Sequence, residues 1–414
     1  PPAAGPSGAP AAGDAPAGCA SGKLFCIPRD ARRVLQIEVQ EGSRDVKVRP
    51  VGPDFGDVQG KFTACVRGNP AVSTSFFCIP YNWRSVVEIE PDSSTIEEMG
   101  RLEDIASGGA KYTDAVHARH FKNLLYAAPC RAEKMLVIDP VRRTVQEMGD
   151  ELGGRDSAKY FTVVAGQTGK VYAVPYDARR VLEIDPSRGG ETREIGPDLG
   201  PTKAKYNCVV HAPTGNLYAA PFNARRVLQI DVKGQVTLVG PDFGDQQRKY
   251  ACMVLAPNKL IYAPPLYAER VLMINCARGD TRQLGAVLGS GEAKYASAAV
   301  ASNGNIYCPP LEARRVLEIR AEAHEVEEIG IDLGYGAEKY SSIAAAPCGG
   351  RLYAPPRGAY RILEVDPERQ AVREVGQEMG RGERKYACIV PGLAPGERAV
   401  LPQDPKEQLA QGAK

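Results

Sequence analysis

The sequence has no long hydrophobic run, few histidines and almost no net charge. No apolar run approaches the ~20 residues that a helix needs to cross a bilayer, so we predict no membrane span. Its 414 residues include 52 Lys and Arg against 50 Asp and Glu, a formal charge of +2, which argues against a general nucleic-acid binder. The four histidines are His117, His120, His211 and His324. His117 and His120 are three residues apart and point to opposite faces of a strand, which argues against a metal site.

Signatures of catalysis are also missing. The sequence has no Cys-x-x-Cys and no Cys/His spacing that is typical of zinc sites. Its glycine-rich stretches are turns, and none is a strand-to-helix phosphate loop. No Ser/His/Asp order and no paired-carboxylate pattern stands out. We therefore predict no catalytic residue, no metal and no cofactor, although acidic residues that are scattered in sequence can still meet in space.

The chain does contain one sequence pattern repeated eight times. Each copy has a Lys-aromatic pair, an apolar stretch that ends in proline, a second apolar stretch that opens with Arg, and a closing glycine. The prolines are 44 to 52 residues apart, at Pro28, Pro80, Pro129, Pro175, Pro221, Pro265, Pro310 and Pro356. The closing glycines give the same count, at Gly52, Gly100, Gly149, Gly196, Gly240, Gly285, Gly330 and Gly376. A period of this length is typical of propellers, solenoids and other arrays.

The segments within each repeat have the composition of strands. Residues 181–185 and 227–231 are short, rich in β-branched residues and bounded by Pro, Gly, Asn and Asp, with apolar residues on both faces. The fourth segment, as at 192–195, is more polar, as an outer-edge strand should be. Helix-length periodic segments are missing, which excludes TPR, ankyrin and HEAT-type solenoids. We therefore predict an all-β chain that forms a single eight-bladed β-propeller, with four antiparallel strands per blade.

The repeats are offset around the predicted ring. The chain enters on a second strand (23–28) and ends on a first strand (386–390), so we expect the C-terminal strand to pair with the N-terminal strands and close the ring. This predicts a propeller over residues 23–391, a Pro/Ala/Gly-rich tail or linker over 1–22 and an extension over 392–414. Within the extension, residues 398–402 resemble a second strand that competes with 24–28 or lies outside the ring. The first residue is Pro and not Met, which predicts a processed or truncated N-terminus.

Eleven cysteines are present, an odd number. Six of them occupy two repeated strand positions: Cys26, Cys78 and Cys308 are two residues before the proline, and Cys208, Cys252 and Cys388 are two after the aromatic residue. Equivalent positions in different blades lie far apart around a ring, so cysteines at the same position cannot pair with each other. We predict buried free thiols, which favours a reducing compartment.

Basic residues recur at two places that belong near the same face of the disc, and we call them the basic collar. The first place is the lysine of each Lys-aromatic pair: Lys61, Lys111, Lys159, Lys205, Lys249, Lys294, Lys339 and Lys385. The second is the arginine that opens the third strand: Arg33, Arg180, Arg226, Arg270, Arg315 and Arg361, with Lys134 and Ser85 in the other two blades. The collar either binds an anionic partner or forms a ladder with loop carboxylates and carbonyls. Its presence in every blade and the low net charge favour the ladder.

Two positions depart from the repeat on that same face. The residue three after the proline is Ala in seven repeats and Trp83, the single tryptophan, in the second. Trp is enriched at interface hot spots, so Trp83 either contacts a partner or packs over its own loop.

The residue directly after the proline is Tyr81, Tyr176, Phe222, Leu266 or Leu311 in five repeats, and Arg29, Cys130 or Arg357 in the others. The adjacent blades four to seven should form an apolar arc, which marks a contact surface unless its side chains pack against the next blade.

One part of the repeat resembles a known family. Residues 303–310 (Asn-Gly-Asn-Ile-Tyr-Cys-Pro-Pro) and 315–319 (Arg-Val-Leu-Glu-Ile) resemble the pattern of NHL-repeat propellers, and the similarity extends over 23–391. The Asp/Asn-x-x-Asn-x-Arg core of that family is replaced here by Pro-x-x-Ala-x-Arg. The resemblance implies a platform for protein contacts or, as in some relatives, a metal-assisted lyase or lactonase at the channel mouth. The latter normally needs His, Glu, Asn or Asp on inner strands, and segments such as 295–300 are small and apolar.

These observations predict a non-enzymatic protein-interaction platform, for example a peripheral subunit of a larger assembly, including one at a membrane. Its partners would bind the face that has the strand 2–3 loops. Two alternatives stay open. One is a small-molecule enzyme, a metal-assisted lyase or hydrolase, that uses the central channel. The other is a propeller that binds an anion or a glycan through the basic collar.

Overall fold

The computed structural model describes residues 21–69, 73–101, 108–118, 123–289, 292–336, 338–380, 382 and 384–393. These residues form eight antiparallel sheets of four strands each, one per repeat. The predicted eight-bladed propeller is therefore confirmed. The tail up to residue 20 and the extension from residue 394, including 398–402, lie outside the described residues. Strand β1 begins at Ser21, inside the stretch predicted as tail.

The first four blades have longer inner strands than the last four. Blade 1 contains β1 (Ser21–Pro28), β2 (Val34–Gln40) and β3 (Val46–Val51), and blade 2 contains β4 (Phe62–Arg67), β5 (Phe76–Pro80), β6 (Ser85–Glu90) and β7 (Thr95–Arg101). Blade 3 contains β8 (Tyr112–His117), β9 (Leu125–Pro129), β10 (Met135–Asp139) and β11 (Thr144–Met148). Blade 4 contains β12 (Tyr160–Ala165), β13 (Val171–Pro175), β14 (Val181–Asp185) and β15 (Glu191–Ile195).

The remaining blades follow the same order. Blade 5 contains β16 (Val210–His211), β17 (Leu217–Ala219), β18 (Val227–Ile230) and β19 (Val236–Val239), and blade 6 contains β20 (Val254–Leu255), β21 (Leu260–Ala263), β22 (Val271–Asn275) and β23 (Asp280–Leu284). Blade 7 contains β24 (Ala299–Val300), β25 (Ile306–Cys308), β26 (Val316–Arg320) and β27 (Glu325–Ile329). Blade 8 contains β28 (Ala344–Ala345), β29 (Leu352–Ala354), β30 (Ile362–Asp366) and β31 (Ala371–Val375), and the chain returns to blade 1 with β32 (Tyr386–Pro391).

Helical structure is almost absent from the part of the chain described. Its one helical segment is a single 3-10 turn, Pro186–Arg188, between β14 and β15. No helix among the described residues is long and apolar enough to cross a membrane.

The C-terminal strand closes the ring. Strand β32 pairs antiparallel with β1, with Cys26 opposite Ile389 and Leu24 opposite Pro391, so that blade 1 has the order β3-β2-β1-β32. The inner strands of neighbouring blades contact one another from β4 around to β28, and β32 contacts both β28 and β4. The last strand therefore completes the blade that the first strand begins, and the described blades form a closed ring.

The hydrophobic core lies between the blades. Val174 and Val181 of blade 4, for example, pack in one buried cluster with Leu228 and Ile230 of blade 5. Similar clusters occupy all eight junctions, including the closing junction of blades 8 and 1. Each fully buried Val, Leu or Ile contributes roughly 1.5–3 kcal/mol, which explains why the middle strands are apolar on both faces.

Candidate functional site

Backbone hydrogen bonds join the starts of the inner strands into a circle. In blade 2, the N–H of Tyr81 donates to the carbonyl of Lys61 (3.0 Å), and the carbonyl of Tyr81 accepts from the N–H of Lys111 in blade 3 (2.9 Å). The same two bonds recur in every blade, so a collar lysine and a residue that follows a proline alternate around the ring. Since the inner strands start here, the circle surrounds one mouth of the central channel. We call the residues after the prolines the mouth ring: Arg29, Tyr81, Cys130, Tyr176, Phe222, Leu266, Leu311 and Arg357.

The collar lysines are buried within this circle. All eight are at most 7% exposed, and their ammonium groups donate to backbone carbonyls of nearby loops. Lys205 donates to the carbonyl of Ala178 (2.8 Å) and Lys159 to that of Gly154 (2.9 Å). Burial lowers the pKa of each of them, to about 8 for Lys111 and Lys249. These contacts favour the structural interpretation, because no collar lysine is placed to meet a ligand on the open face.

The collar arginines lie further out on the same face. Arg33 and Arg315 donate to the carbonyls of the closing glycines Gly52 (3.0 Å) and Gly330 (2.7 Å), and Arg180 and Arg270 make the equivalent bond. Arg226 is exposed, and Arg361 pairs with Glu378.

The aspartates of the loops form ion pairs with arginines other than the collar arginines, which the ladder interpretation assigns to them. Asp54, Asp198, Asp242 and Asp332 each pair with the arginine directly before the third-strand position, namely Arg32, Arg179, Arg225 and Arg314. All of these pairs are solvent-exposed, so each contributes roughly 0–1 kcal/mol. The carboxylates hold the loops in place, and the collar lysines bind carbonyls instead.

Trp83 packs into the blade and is only 9% exposed. Its ring meets Phe55 edge-on at 5.3 Å between centroids and lies 6.3 Å from Phe62. Phe62 is the first residue of β4, and Phe55 lies in the loop before that strand. Trp83 therefore fills space at the start of its own blade.

The predicted apolar arc forms one contiguous cluster. Phe222, Leu266 and Leu311 pack together with Ala293, and Tyr176 lies 6.3 Å from Phe222. The first three are only 7–9% exposed, since neighbouring Lys-aromatic segments cover their sides. Little of their apolar area is therefore left on the surface, and their contact with a partner stays a prediction.

The opposite side of the mouth ring is basic. The guanidinium of Arg29 lies over the ring of Tyr81, 5.9 Å from its centroid. Next to it, Arg357 forms a two-pronged pair with Glu338 at 3.1 and 3.2 Å, and Arg384 binds the same carboxylate at 2.9 Å. The mouth therefore has an apolar side on blades 4–7 and a cationic side on blades 8 and 1.

The other mouth of the channel opens into a cavity of about 680 Å³. The ends of inner strands β4, β8, β12 and β16 line it, and its polar side chains are Arg67, His117, Gln167 and His211. The sequence did not predict this juxtaposition, because the two histidines come from different blades. In the described residues, no group of three or more His, Cys, Asp or Glu side chains is arranged to hold a metal ion.

Exposed apolar side chains are concentrated on one face of the disc. We call the face with the strand 2–3 loops and the connections between blades the loop face. Among the described residues, the large apolar side chains exposed on the loop face are Val58, Val287, Ile331, Tyr335 and Tyr360. The turns of the opposite face expose Val141 and Val232, and the outer strand β19 exposes Leu238. The sequence does not reveal the loop-face set, because irregular loops have no periodicity that distinguishes an exposed side chain from a buried one.

Comparisons with known proteins show the fold alone. No family model and no curated protein matches the chain. The structure is similar to AztD from Citrobacter koseri, with a TM-score of 0.58 at 8% identity over 91% of this chain and 99% of that chain. It is also similar to a catalytically inactive virginiamycin B lyase from Staphylococcus aureus with quinupristin. That match has a TM-score of 0.52 at 14% identity and covers 72% of this chain and 96% of that chain. A candidate 6-phosphogluconolactonase from Bacteroides uniformis gives a TM-score of 0.51 at 12% identity, with 90% and 99% covered. These neighbours include enzymes and other proteins on one propeller architecture, so the fold is compatible with both enzymatic and binding roles.

Proposed function

We propose that this chain is a non-enzymatic binding propeller whose loop face docks a protein partner. The observation that supports this most directly is the set of exposed apolar residues on that face. Tyr335 is 80% exposed, and Ile331 is 47% exposed in the same connection between blades 7 and 8. Val287 and Tyr360 extend the set to the neighbouring loops of blades 6 and 8. Exposed apolar area of this kind is typical of protein contact sites.

The geometry of the same face supports docking on rigid loops. The guanidinium of Arg314 lies over the ring of Tyr335, 4.7 Å from its centroid. Arg314 also pairs with Asp332, so it anchors this connection at two points. The circle of backbone bonds at the mouth ties every such loop to its neighbour. A preorganised surface loses less conformational entropy when a partner binds. The resemblance to NHL repeats and a place as a peripheral subunit stay predictions within this proposal.

The proposal is tested with paired variants on the two faces. Ile331→Ser with Tyr335→Ser removes exposed apolar area from the loop face, and Val141→Ser with Val232→Ser removes it from the opposite face. All four side chains are exposed, so each change should alter stability by no more than about 0.5 kcal/mol. Tagged forms are used to isolate complexes from the native source, and the proteins recovered are quantified by mass spectrometry. A partner that is lost with the first pair and kept with the second supports the proposal. Equal recovery with both pairs contradicts it.

The cavity at the opposite mouth favours a second candidate, a small-molecule site. Its volume of about 680 Å³ lies within the range of ligand pockets, and Arg67, His117 and His211 give it polar groups. Replacement of His211 by Ala should abolish ligand binding there and leave loop-face partners unaffected. A small molecule that co-purifies with the wild-type chain and not with this variant would establish that candidate.

A further inference from the structure

We infer that the mouth ring binds a carboxylate group attached to an apolar body, with Arg29 facing the carboxylate and the Phe222–Leu266–Leu311 side receiving the body. This inference rests on the proposed function, because it names the ligand chemistry of the same face. Two sources present that chemistry: a free carboxylic acid, and the C-terminal carboxylate of a partner polypeptide whose last residues are apolar.

Arg29 is a cation without a counter-ion in the described structure. Its guanidinium forms no hydrogen bond or ion pair with any described residue, and its Nε is buried without a partner. The nearest acid in sequence, Asp30, accepts the backbone N–H of Gly60 at 2.6 Å. Desolvation is the largest cause that lowers the pKa of Arg29, and repulsion from Arg357 adds to it. The nearby charge of Asp30 opposes these two effects, and the negative charge of a bound anion would offset them further.

Among the described residues, the side chains around Arg29 have more positive than negative charge. Arg357 and Arg384 share the carboxylate of Glu338. Lys385 is adjacent and donates to the carbonyl of Gly382 at 2.7 Å. With Arg29 and Asp30 included, the described part of the site keeps an excess of positive charge.

The shape of the mouth selects the rest of the ligand. A guanidinium fork binds a planar carboxylate through two parallel hydrogen bonds. Across the ring, Phe222, Leu266 and Leu311 form one apolar cluster, and each keeps 7–9% of its surface exposed. A ligand that has both a carboxylate and an apolar end matches both features.

The sole tryptophan provides a probe of this site. The N–H of Trp83 donates to the carbonyl of Lys61 at 3.2 Å, so Trp83 is bonded to the circle that surrounds the mouth. Binding is measured by calorimetry and by tryptophan fluorescence with four probes: 3-phenylpropionate, the tripeptide Leu-Leu-Phe with a free C-terminus, the same tripeptide as its C-terminal amide, and inorganic phosphate.

We expect at least one of the two carboxylate probes to bind, and the amide to bind at least tenfold more weakly than the tripeptide acid if the tripeptide binds. Arg29→Met should weaken carboxylate binding at least tenfold, since it removes the fork and keeps the backbone bonds. Arg29→Lys keeps the charge and should restore part of the affinity. Arg278→Met removes one guanidinium from an exposed turn of the opposite face and should change nothing. Preference for 3-phenylpropionate would identify a free acid as the source, and preference for the tripeptide a chain terminus.

Three results would overturn the inference: no binding of either carboxylate, equal binding of the acid and amide tripeptides, or unchanged affinity in folded Arg29→Met. Stronger binding of phosphate than of both carboxylates would also overturn it. None of these results affects the docking proposal, which fails only if the loop-face pair of variants keeps its partners. Circular dichroism and the unfolding temperature confirm that each variant is folded.

Discussion

The sulfur of Cys65 lies 3.3 Å from the sulfur of Cys78. The two residues are directly opposite each other on the antiparallel strands β4 and β5 of blade 2. Cys78 is fully buried, and burial is the main cause that raises the pKa of Cys65 well above its usual value. All ten described cysteines are free thiols, and this pair has the two sulfurs in van der Waals contact. A disulfide is therefore possible within one blade, although equivalent positions of different blades cannot pair.

We predict that mild oxidation joins Cys65 to Cys78 before any other pair. Diamide takes two electrons and two protons from the two thiols and becomes a hydrazine, which leaves one S–S bond. The reaction should be slow in the native protein, because the neutral thiol is not the nucleophile. Peptide mass spectrometry without reduction identifies the bond, and Cys78→Ser should leave Cys65 unlinked. A dominant bond between two other cysteines would contradict the prediction.

We predict that Gly196→Ala is destabilising by about 2–5 kcal/mol. Gly196 has a φ of +79°, and a β-carbon there would lie 2.6 Å from Cβ of Val236 in the next blade. Alanine at this position would cost roughly 1–2 kcal/mol for the left-handed backbone conformation. Overpacking of its methyl group would cost about 1–3 kcal/mol more. The measurement is the free energy of unfolding from urea titration.

Gly200→Ala is the matched control for that change. Gly200 has the same φ of +79°, and no atom lies within 4 Å of the position that a β-carbon would occupy. It should cost only the backbone penalty, about 1–2 kcal/mol. Equal losses in the two variants would show that contact between blades does not explain the closing glycine.

We predict that the buried Lys111 lowers the free energy of unfolding less at about pH 9.5 than at about pH 7.5. Burial lowers its pKa in the folded protein to about 8, whereas an unfolded lysine has a pKa of about 10.4. Between these values the unfolded chain binds more protons, so the free energy of unfolding rises with pH. Between pH 7.5 and pH 9.5, the free energy of unfolding of the wild type should therefore rise by about 1–2 kcal/mol relative to that of Lys111→Met.

The comparison of the two proteins isolates the lysine. Buried thiols and phenols, whose pKa values are raised, lower the stability of both proteins as the pH rises, and their contribution cancels in the difference. Urea titrations of both proteins at pH 7.5 and pH 9.5 give the four free energies of unfolding. A difference that is the same at both pH values would mean that Lys111 titrates normally in the folded state.

The fold could be predicted because the repeat is visible in single residues. The collar lysine, the proline and the closing glycine occupy fixed places in each blade, and each has a local physical role. The glycine is required where Gly196 meets Val236, and the lysine caps carbonyls as Lys205 does. Ring closure was equally visible, because the chain enters on a second strand and the first-strand segment at Tyr386 can complete that blade.

The candidate site could be predicted only in part. The sequence identifies the mouth-ring position, since Arg29 and Leu266 follow prolines of the repeat. It does not show that Leu266 is buried, or that Glu338 turns toward Arg357 and leaves Arg29 without a carboxylate. Those facts depend on side-chain directions across three blades. The exposure of Ile331 and Tyr335 was also hidden, because it is decided by how one irregular loop lies on its neighbours.

Trp83→Ala provides the sharpest test of a residue first assigned to partner contact. Because Trp83 is 9% exposed and packs against Phe55 and Phe62, truncation should leave a cavity and cost about 3–5 kcal/mol. Trp83→Phe keeps an aromatic ring there and should cost less. Far-UV circular dichroism in urea measures both losses, since the variants lack the only tryptophan. If Trp83→Ala instead keeps wild-type stability while the loop-face partner is lost, Trp83 is a contact residue and its packing is incidental.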